Sequence, residues 1–153
     1  MRKQEFITKS ARQTQKLAGQ TLKDILNENE RKNAAVLALE GELGGGKTTF
    51  TQGLAEVFGI KEKILSPTFV IMKRFKIYDL RFKNGIENLY HIDCYRLEKP
   101  EDLAELGFNE ILKDPKNIIV IEWANKVKSL IPQDAVWVKF EWLGERQRKI
   151  IIN

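Results

Sequence analysis

Apolar residues recur at helical spacing in three stretches of this sequence. Between Ser10 and Leu26 they predict one amphipathic helix, with Thr8 or Ser10 placed to cap its first turn. A second helix is predicted from Thr48 to Phe58, because the apolar residues fall on one helical face and a glycine follows. Leucines and isoleucines after Pro100 predict a short helix that Gly107 interrupts.

Continuous and alternating apolar runs predict the strands. Residues 34–39 and 118–121 are wholly apolar, as expected for strands that are buried on both faces. Two hairpins are also predicted: 69–78 with 88–94 through an Asn84-Gly85 turn, and 136–142 with 150–152 through a turn near Gly144. Buried strands with helices between them indicate an α/β domain with a mixed, partly parallel central sheet.

The composition is typical of one soluble globular domain. The chain has 153 residues, 42% of them hydrophobic and 31% charged, and we find no linker that divides residues 1–153. The one cysteine, Cys94, excludes an internal disulfide and a zinc site built on cysteines. No apolar stretch approaches the roughly 18 residues that a membrane span needs, and no signal-peptide pattern is present. We therefore expect a cytoplasmic protein with no membrane partner.

The net charge of +5 is compatible with a polyanion partner but does not require one. Basic residues form two clusters, one of Lys73, Arg74, Lys76, Arg81 and Lys83, the other of Arg146, Arg148 and Lys149. Neither cluster has the interleaved aromatic residues of a base-stacking surface, so we favour a solvated basic face.

Candidate chemistry is concentrated in the glycine-rich stretch 41–48. Gly41 and Gly46 are separated by four residues and followed by Lys47 and Thr48, which is the pattern of a phosphate-binding loop. Glycines let successive N–H groups turn inward around an anion, and the following helix adds its positive end. Lys47 supplies a positive charge for the outer phosphates, and the Thr48 hydroxyl can reach a Mg²⁺ ion.

Other candidates follow two of the predicted strands. Glu122 ends the strand 118–121, where a nucleotide site needs a carboxylate for its metal. Trp123 can stack on a purine or merely close the core. Asp93 could act as a base that orients water, or it could be a strand-end aspartate whose oxygens accept backbone N–H groups. It shares a strand face with His91, for which we favour a structural role. Residues 66–69 suit a loop that senses a terminal phosphate through Thr68, although alone they are an ordinary turn.

In this order and spacing, the stretches resemble the TsaE (YjeE) family, the small ATPases of bacterial tRNA threonylcarbamoyladenosine synthesis. The resemblance is carried by residues 41–49, 66–69, 91–96, 101–107 and 122–123. Glu42 and Gly45 depart from the usual residues without changing the character of the loop, whereas Ala124 replaces a proline that often follows the Glu-Trp pair. The resemblance implies a three-layer fold like that of the P-loop NTPases.

The resemblance also implies roles for single residues. It places the ATP phosphates on Gly41, Glu42, Leu43, Gly44, Gly45, Gly46, Lys47, Thr48 and Thr49, and Mg²⁺ on Thr48 and Glu122. Asp93 would position the attacking water, and Glu122, Lys47 and Thr68 would complete the catalytic set. Trp123 would border the adenine, and Asn125 and Arg146 would touch the nucleotide.

By resemblance, the protein would hydrolyse ATP in support of a threonylcarbamoyltransferase catalytic subunit and its inactive paralogue, with tRNA as the substrate of that complex. A GTPase is disfavoured because Lys128 stands where guanine recognition needs an aspartate. A small-molecule kinase of the P-loop class remains an alternative. So does a module in which nucleotide binding gates assembly with negligible turnover.

Overall fold

A mixed β-sheet runs through the computed structural model, which describes residues 2–27, 30–79, 81–82 and 85–153. Within these residues the sheet has seven strands, in the spatial order β1-β7-β6-β2-β5-β4-β3. Their bounds are β1 Gln4–Thr8, β2 Ala35–Gly41, β3 Met72–Lys76, β4 Asn88–Asp93, β5 Asn117–Glu122, β6 Val136–Trp142 and β7 Arg148–Ile152.

The centre of the sheet is parallel and its two edges are antiparallel. Strand β2 pairs in parallel with β5 and with β6, and β4 pairs in parallel with β5. The hairpins β3/β4 and β6/β7 confirm the two that the sequence predicts, and the predicted mixed, partly parallel sheet is confirmed with them. Asn84 of the predicted turn and Lys83 of the first basic cluster lie outside the described residues.

Four α-helices and one 3₁₀ segment lie in the described residues: α1 Ala11–Leu26, α2 Lys47–Val57, α3 Pro100–Ala104, α4 Phe108–Leu112 and the 3₁₀ segment Ala124–Leu130. Ser10 is the residue that caps α1, since its side chain accepts the N–H of Gln13 at 3.1 Å. Gly107 separates α3 from α4 at a φ of +85°, which confirms the predicted interruption.

The helices cover both faces of the sheet, which gives three layers. Leu37 and Leu39 of β2 pack on the face that α1 and α2 cover. Val36 and Ala38 of the same strand pack on the opposite face, against α3, α4 and the 3₁₀ segment. Because alternate side chains of β2 are buried on opposite faces, the run 34–39 is apolar throughout. The predicted three-layer α/β fold is confirmed.

Strand β1 and the 3₁₀ segment are elements that the sequence did not predict. Strand β1 is mostly exposed and lies at the edge of the described sheet beside β7, so its own residues carry little apolar pattern. Phe69 and Val70, assigned to a predicted strand, lie exposed before β3 instead. In the described residues no helix has the length and apolar character that crossing a lipid bilayer requires.

Candidate active site

Three parallel strands bring the candidate residues to one edge of the sheet. Asp93 pairs in register with Glu122, and Glu122 pairs with Leu39, two residues before Gly41. The carboxyl ends of β2, β4 and β5 therefore meet. A cavity of about 730 Å³ opens there, a volume in the range of small-molecule sites.

The loop between β2 and α2 requires glycine at two positions. Gly41 has a φ of +154°, and a Cβ there would lie 2.7 Å from the backbone oxygen of Phe140. Gly46 has a φ of +105° and immediately precedes α2. The first N–H groups of an α-helix have no acceptor within the helix. The loop therefore presents backbone donors and the positive end of α2 to the cavity, as an anion site requires.

Lys47 is folded back onto its own loop. Its Nζ donates to the carbonyls of Gly41 at 2.6 Å and Glu42 at 2.9 Å, and lies 4.3 Å from the centre of the Trp123 ring. The residue is only 5% exposed, and burial lowers the pKa of its ammonium group, against the opposing effect of nearby carboxylates. An anionic ligand in the cavity would offer this charge a stronger partner than two neutral carbonyls.

Glu122 is held by two donors on one oxygen. Thr48 Oγ1 donates to Glu122 Oε1 at 2.9 Å, and His91 Nε2 lies 2.8 Å from the same oxygen. Hydroxyl and carboxylate oxygens are the ligands that Mg²⁺ takes, so the pair Thr48 and Glu122 fits that ion. Among the described residues no group of three or more His, Cys, Asp or Glu side chains could hold a metal ion alone. An ion here would share its ligands with phosphate and water.

Asp93 anchors the 66–69 loop. One carboxylate oxygen accepts the hydroxyls of Ser66 and Thr68, the latter at 3.0 Å, and the other accepts the N–H of Tyr95 at 2.9 Å. The residue is 2% exposed. Its acceptor capacity is therefore largely used in this state of the protein.

The cavity has two chemically different ends. The division follows from the strand order, because β5 and β4 lie on one side of β2 and β6, β7 and β1 lie on the other. The lining residues on the β4 and β5 side of the loop are Asp93, Glu122, Ser66, Thr68, Tyr95 and Trp123. The other end, on the β7 and β1 side, is lined by Thr8, Lys9, Ser10, Ala11, Thr14, Glu145, Arg146 and Arg148. Trp123 lies at the carboxylate end, 5.1 Å from the ring of Tyr95, with a left-handed φ of +58°. Asn125 is exposed and does not line the cavity, so its part in nucleotide contact stays a prediction.

Sequence reasoning missed several contacts of this site. It gave His91 no partner. It also assigned Arg146 but not Arg148 to the site, although Arg148 Nε donates to the Gly44 carbonyl of the loop at 3.0 Å. It also gave no part to the wall that runs from Thr8 to Thr14. Membership of a basic cluster was a weak signal for Arg148, because residues 104 positions apart in sequence are joined only by the fold.

A glycine-rich loop between a central parallel strand and a helix, beside a strand-end carboxylate, places this chain in the class of P-loop NTPase-like domains. The sequence model of the family described as "Threonylcarbamoyl adenosine biosynthesis protein TsaE" matches residues 8–150. The chain therefore belongs to the TsaE family, which confirms the resemblance seen in its motifs.

Named relatives agree with this assignment. The tRNA threonylcarbamoyladenosine biosynthesis protein TsaE of Bacillus subtilis is 37% identical over 119 residues, covering 78% of this chain and 69% of that protein. The protein of the same name from Rickettsia felis is 36% identical over 151 residues, covering 97% and 80%. A crystal structure of Bacillus subtilis YdiB matches with a TM-score of 0.71 at 29% identity, covering 99% of this chain and 84% of that chain.

Proposed function

We propose that this protein binds and hydrolyses ATP in tRNA threonylcarbamoyladenosine biosynthesis, the pathway named in its relatives. The observation that carries the proposal is the convergence of the loop, Lys47, Thr48 and Glu122 on one cavity. Family membership supplies the pathway, and the cavity supplies the chemistry.

In this proposal the loop N–H groups and Lys47 bind the phosphates. The terminal phosphate lies at the carboxylate end of the cavity, where a metal ligand and a water-orienting group are needed. The nucleoside then extends to the opposite end, toward the wall that contains Ser10, Thr14 and Arg146. In this orientation Trp123 would lie beside Lys47 at the carboxylate end rather than at the base. The expectation from the resemblance, that Trp123 borders the adenine, is the alternative and stays a prediction.

Thr48 and Glu122 would hold Mg²⁺, which when bound neutralises charge on the phosphate oxygens. Asp93 is the group that would orient the attacking water. Its oxygens are occupied by Ser66, Thr68 and the Tyr95 N–H, so it can act on water only after the 66–69 loop changes its contacts.

This occupied state of Asp93 supports slow turnover by the isolated protein. Partners that rearrange the 66–69 loop would raise the rate, and we expect these to be the threonylcarbamoyltransferase catalytic subunit and its inactive paralogue, with tRNA as their substrate. The same observation favours the second candidate, a nucleotide-gated assembly module with negligible turnover. Equal ATPase rates alone and with both partners and tRNA would contradict the stimulated enzyme.

The first experiment compares wild type with Lys47→Ala and with Lys113→Ala, a control that removes an exposed lysine after α4. We expect Lys47→Ala to weaken binding of a fluorescent ATP analogue, because it removes the positive side chain beside the loop, and Lys113→Ala to have no effect. Equal nucleotide affinity in wild type and Lys47→Ala would overturn the site.

Two further measurements separate the alternatives. ATPase activity releases one inorganic phosphate for each ADP formed, whereas a kinase forms ADP without free phosphate when its acceptor is present. In the host, deletion of the gene should remove threonylcarbamoyladenosine from tRNA, measured by mass spectrometry of tRNA nucleosides. Restoration by wild type but not by Lys47→Ala would support the proposal.

A further inference from the structure

The one histidine of the chain is buried beside the candidate metal site without a part in the proposed chemistry. His91 is 0% exposed, on the same face of β4 as Asp93. Its Nε2 lies 2.8 Å from Glu122 Oε1. A carboxylate oxygen accepts, so the imidazole Nε2–H donates in this pair.

The histidine and Thr48 both contact the same oxygen of Glu122. Thr48 Oγ1 donates to Oε1 at 2.9 Å. Within the described part of the chain, no hydrogen bond ends on Glu122 Oε2. Because the residue lines the cavity, two donors fix the carboxylate while one oxygen remains for a ligand there.

The other nitrogen of the imidazole indicates that this arrangement does not serve stability alone. His91 Nδ1 is buried and has no hydrogen-bond partner among the residues that the structure describes. A buried polar atom without a partner is unfavourable, and a well-packed apolar side chain would avoid it. Within residues 2–27, 30–79, 81–82 and 85–153, the one polar contact of the ring is that with Glu122.

We propose that His91 is a positioning residue for the nucleotide site: through Nε2 it fixes the Glu122 carboxylate in the orientation that binds Mg²⁺ with ATP. The inference rests on the proposed function. It assigns His91 an effect on magnesium-coupled nucleotide binding, and no direct contact with nucleotide.

The first test measures how much Mg²⁺ tightens the binding of a fluorescent ATP analogue. His91→Leu removes the donor, and we expect the magnesium concentration that gives half of the tightening to rise about 10- to 100-fold, the usual effect of losing a partner of a metal ligand. His91→Gln places an amide N–H at a similar reach, and we expect it to stay within about threefold of wild type. Ile92→Val is the control, since Ile92 is equally buried on the same strand but packs on the opposite face.

The second test needs no variant. Because the chain has one histidine, the ring nitrogens of a ¹⁵N-histidine sample give an unambiguous NMR signal. We expect a protonated Nε2 and an unprotonated Nδ1, the tautomer that the Glu122 contact requires. In Glu122→Gln this preference should weaken, because the acceptor loses its negative charge.

The outcomes separate this inference from the proposed function. A wild-type protein that binds no ATP overturns the proposed function and the role of His91 with it. ATP binding with unchanged magnesium coupling in His91→Leu overturns only the role of His91. An Nδ1–H tautomer in the wild type also overturns the role of His91, and so do equal losses of magnesium coupling in His91→Gln and His91→Leu. Weakened coupling in His91→Leu together with near-normal coupling in His91→Gln supports it.

Discussion

The hydrogen bond between Thr48 and Glu122 can be tested by replacing the hydroxyl with a methyl group. Thr48→Val preserves the shape of the side chain and removes the donor that lies 2.9 Å from Glu122 Oε1. A hydrogen bond to a charged group contributes about 1.5–3 kcal/mol to stability. His91 still contacts the same oxygen, so we expect the ligand-free protein to lose about 2 kcal/mol, within that range.

Thr51 provides a matched control on the same helix. Its hydroxyl donates at 3.1 Å to the Lys47 carbonyl, which is a neutral acceptor. Thr51→Val should therefore cost about 1 kcal/mol or less. Urea unfolding without nucleotide or magnesium measures both losses, and an unchanged slope against urea concentration shows that the comparison is valid.

Magnesium coupling gives the same pair of variants a functional readout. Thr48→Val should reduce the tightening of ATP binding by Mg²⁺, because Thr48 is a proposed ligand, while Thr51→Val should keep it. Thr48→Ser retains the hydroxyl and should keep most of the magnesium effect. Equal losses of stability in Thr48→Val and Thr51→Val, or a full magnesium effect in Thr48→Val, would contradict the role given to Thr48.

Three other changes give separate tests. A Cβ on Gly53 would clash with the backbone oxygen of Gln15. Gly53→Ala should therefore destabilise the protein by about 1–3 kcal/mol in urea unfolding, although alanine has the better helix propensity. Gly144→Ala is the control and should be neutral, because the space around Gly144 is open. Burial raises the pKa of the Cys94 thiol from 9.0 to about 12, so the unfolded chain ionises first and the free energy of unfolding should fall as pH rises from 9.0 toward 12. Other groups, such as Lys47 with its lowered pKa, also titrate in this range, so the thiol's contribution is the difference between the slopes of wild type and Cys94→Ala. Equal slopes in the two proteins would contradict the assignment. Trp123→Leu should change the rate of ATP hydrolysis, because Trp123 lies beside Lys47 at the carboxylate end. It should leave the preference for ATP over GTP unchanged in competition binding. A loss of that preference would instead support a contact between Trp123 and the base.

Much of the framework could be predicted from local sequence. The loop 41–48 was recognisable because its glycines, lysine and threonine must be neighbours in sequence to turn a chain around an anion. Glu122 was recognisable as a candidate metal ligand because it directly follows the wholly apolar run 118–121. The hairpin β6/β7 followed from the alternating run 136–142, the continuous apolar run 150–152 and a turn between them. These features depend on short-range order, which the sequence records directly.

The contacts that the sequence did not reveal join residues far apart in the chain. Strand β1 has little apolar pattern, because it is a mostly exposed edge strand whose pairing with β7 depends on backbone hydrogen bonds. The contact of His91 with Glu122 spans 31 positions, and that of Arg148 with Gly44 spans 104. No periodicity encodes such pairs.

Local patterns in the sequence were enough to identify the glycine-lysine-threonine pattern of a phosphate-binding loop, two strands that are buried on both faces, and the motifs of the TsaE family. Tertiary structure decided which oxygen of Glu122 is engaged, which hydroxyls occupy Asp93, and at which end of the cavity Trp123 lies. The difference arises because hydrophobic spacing and turn residues act over a few positions, whereas side-chain donors and acceptors meet only after the sheet order has been set.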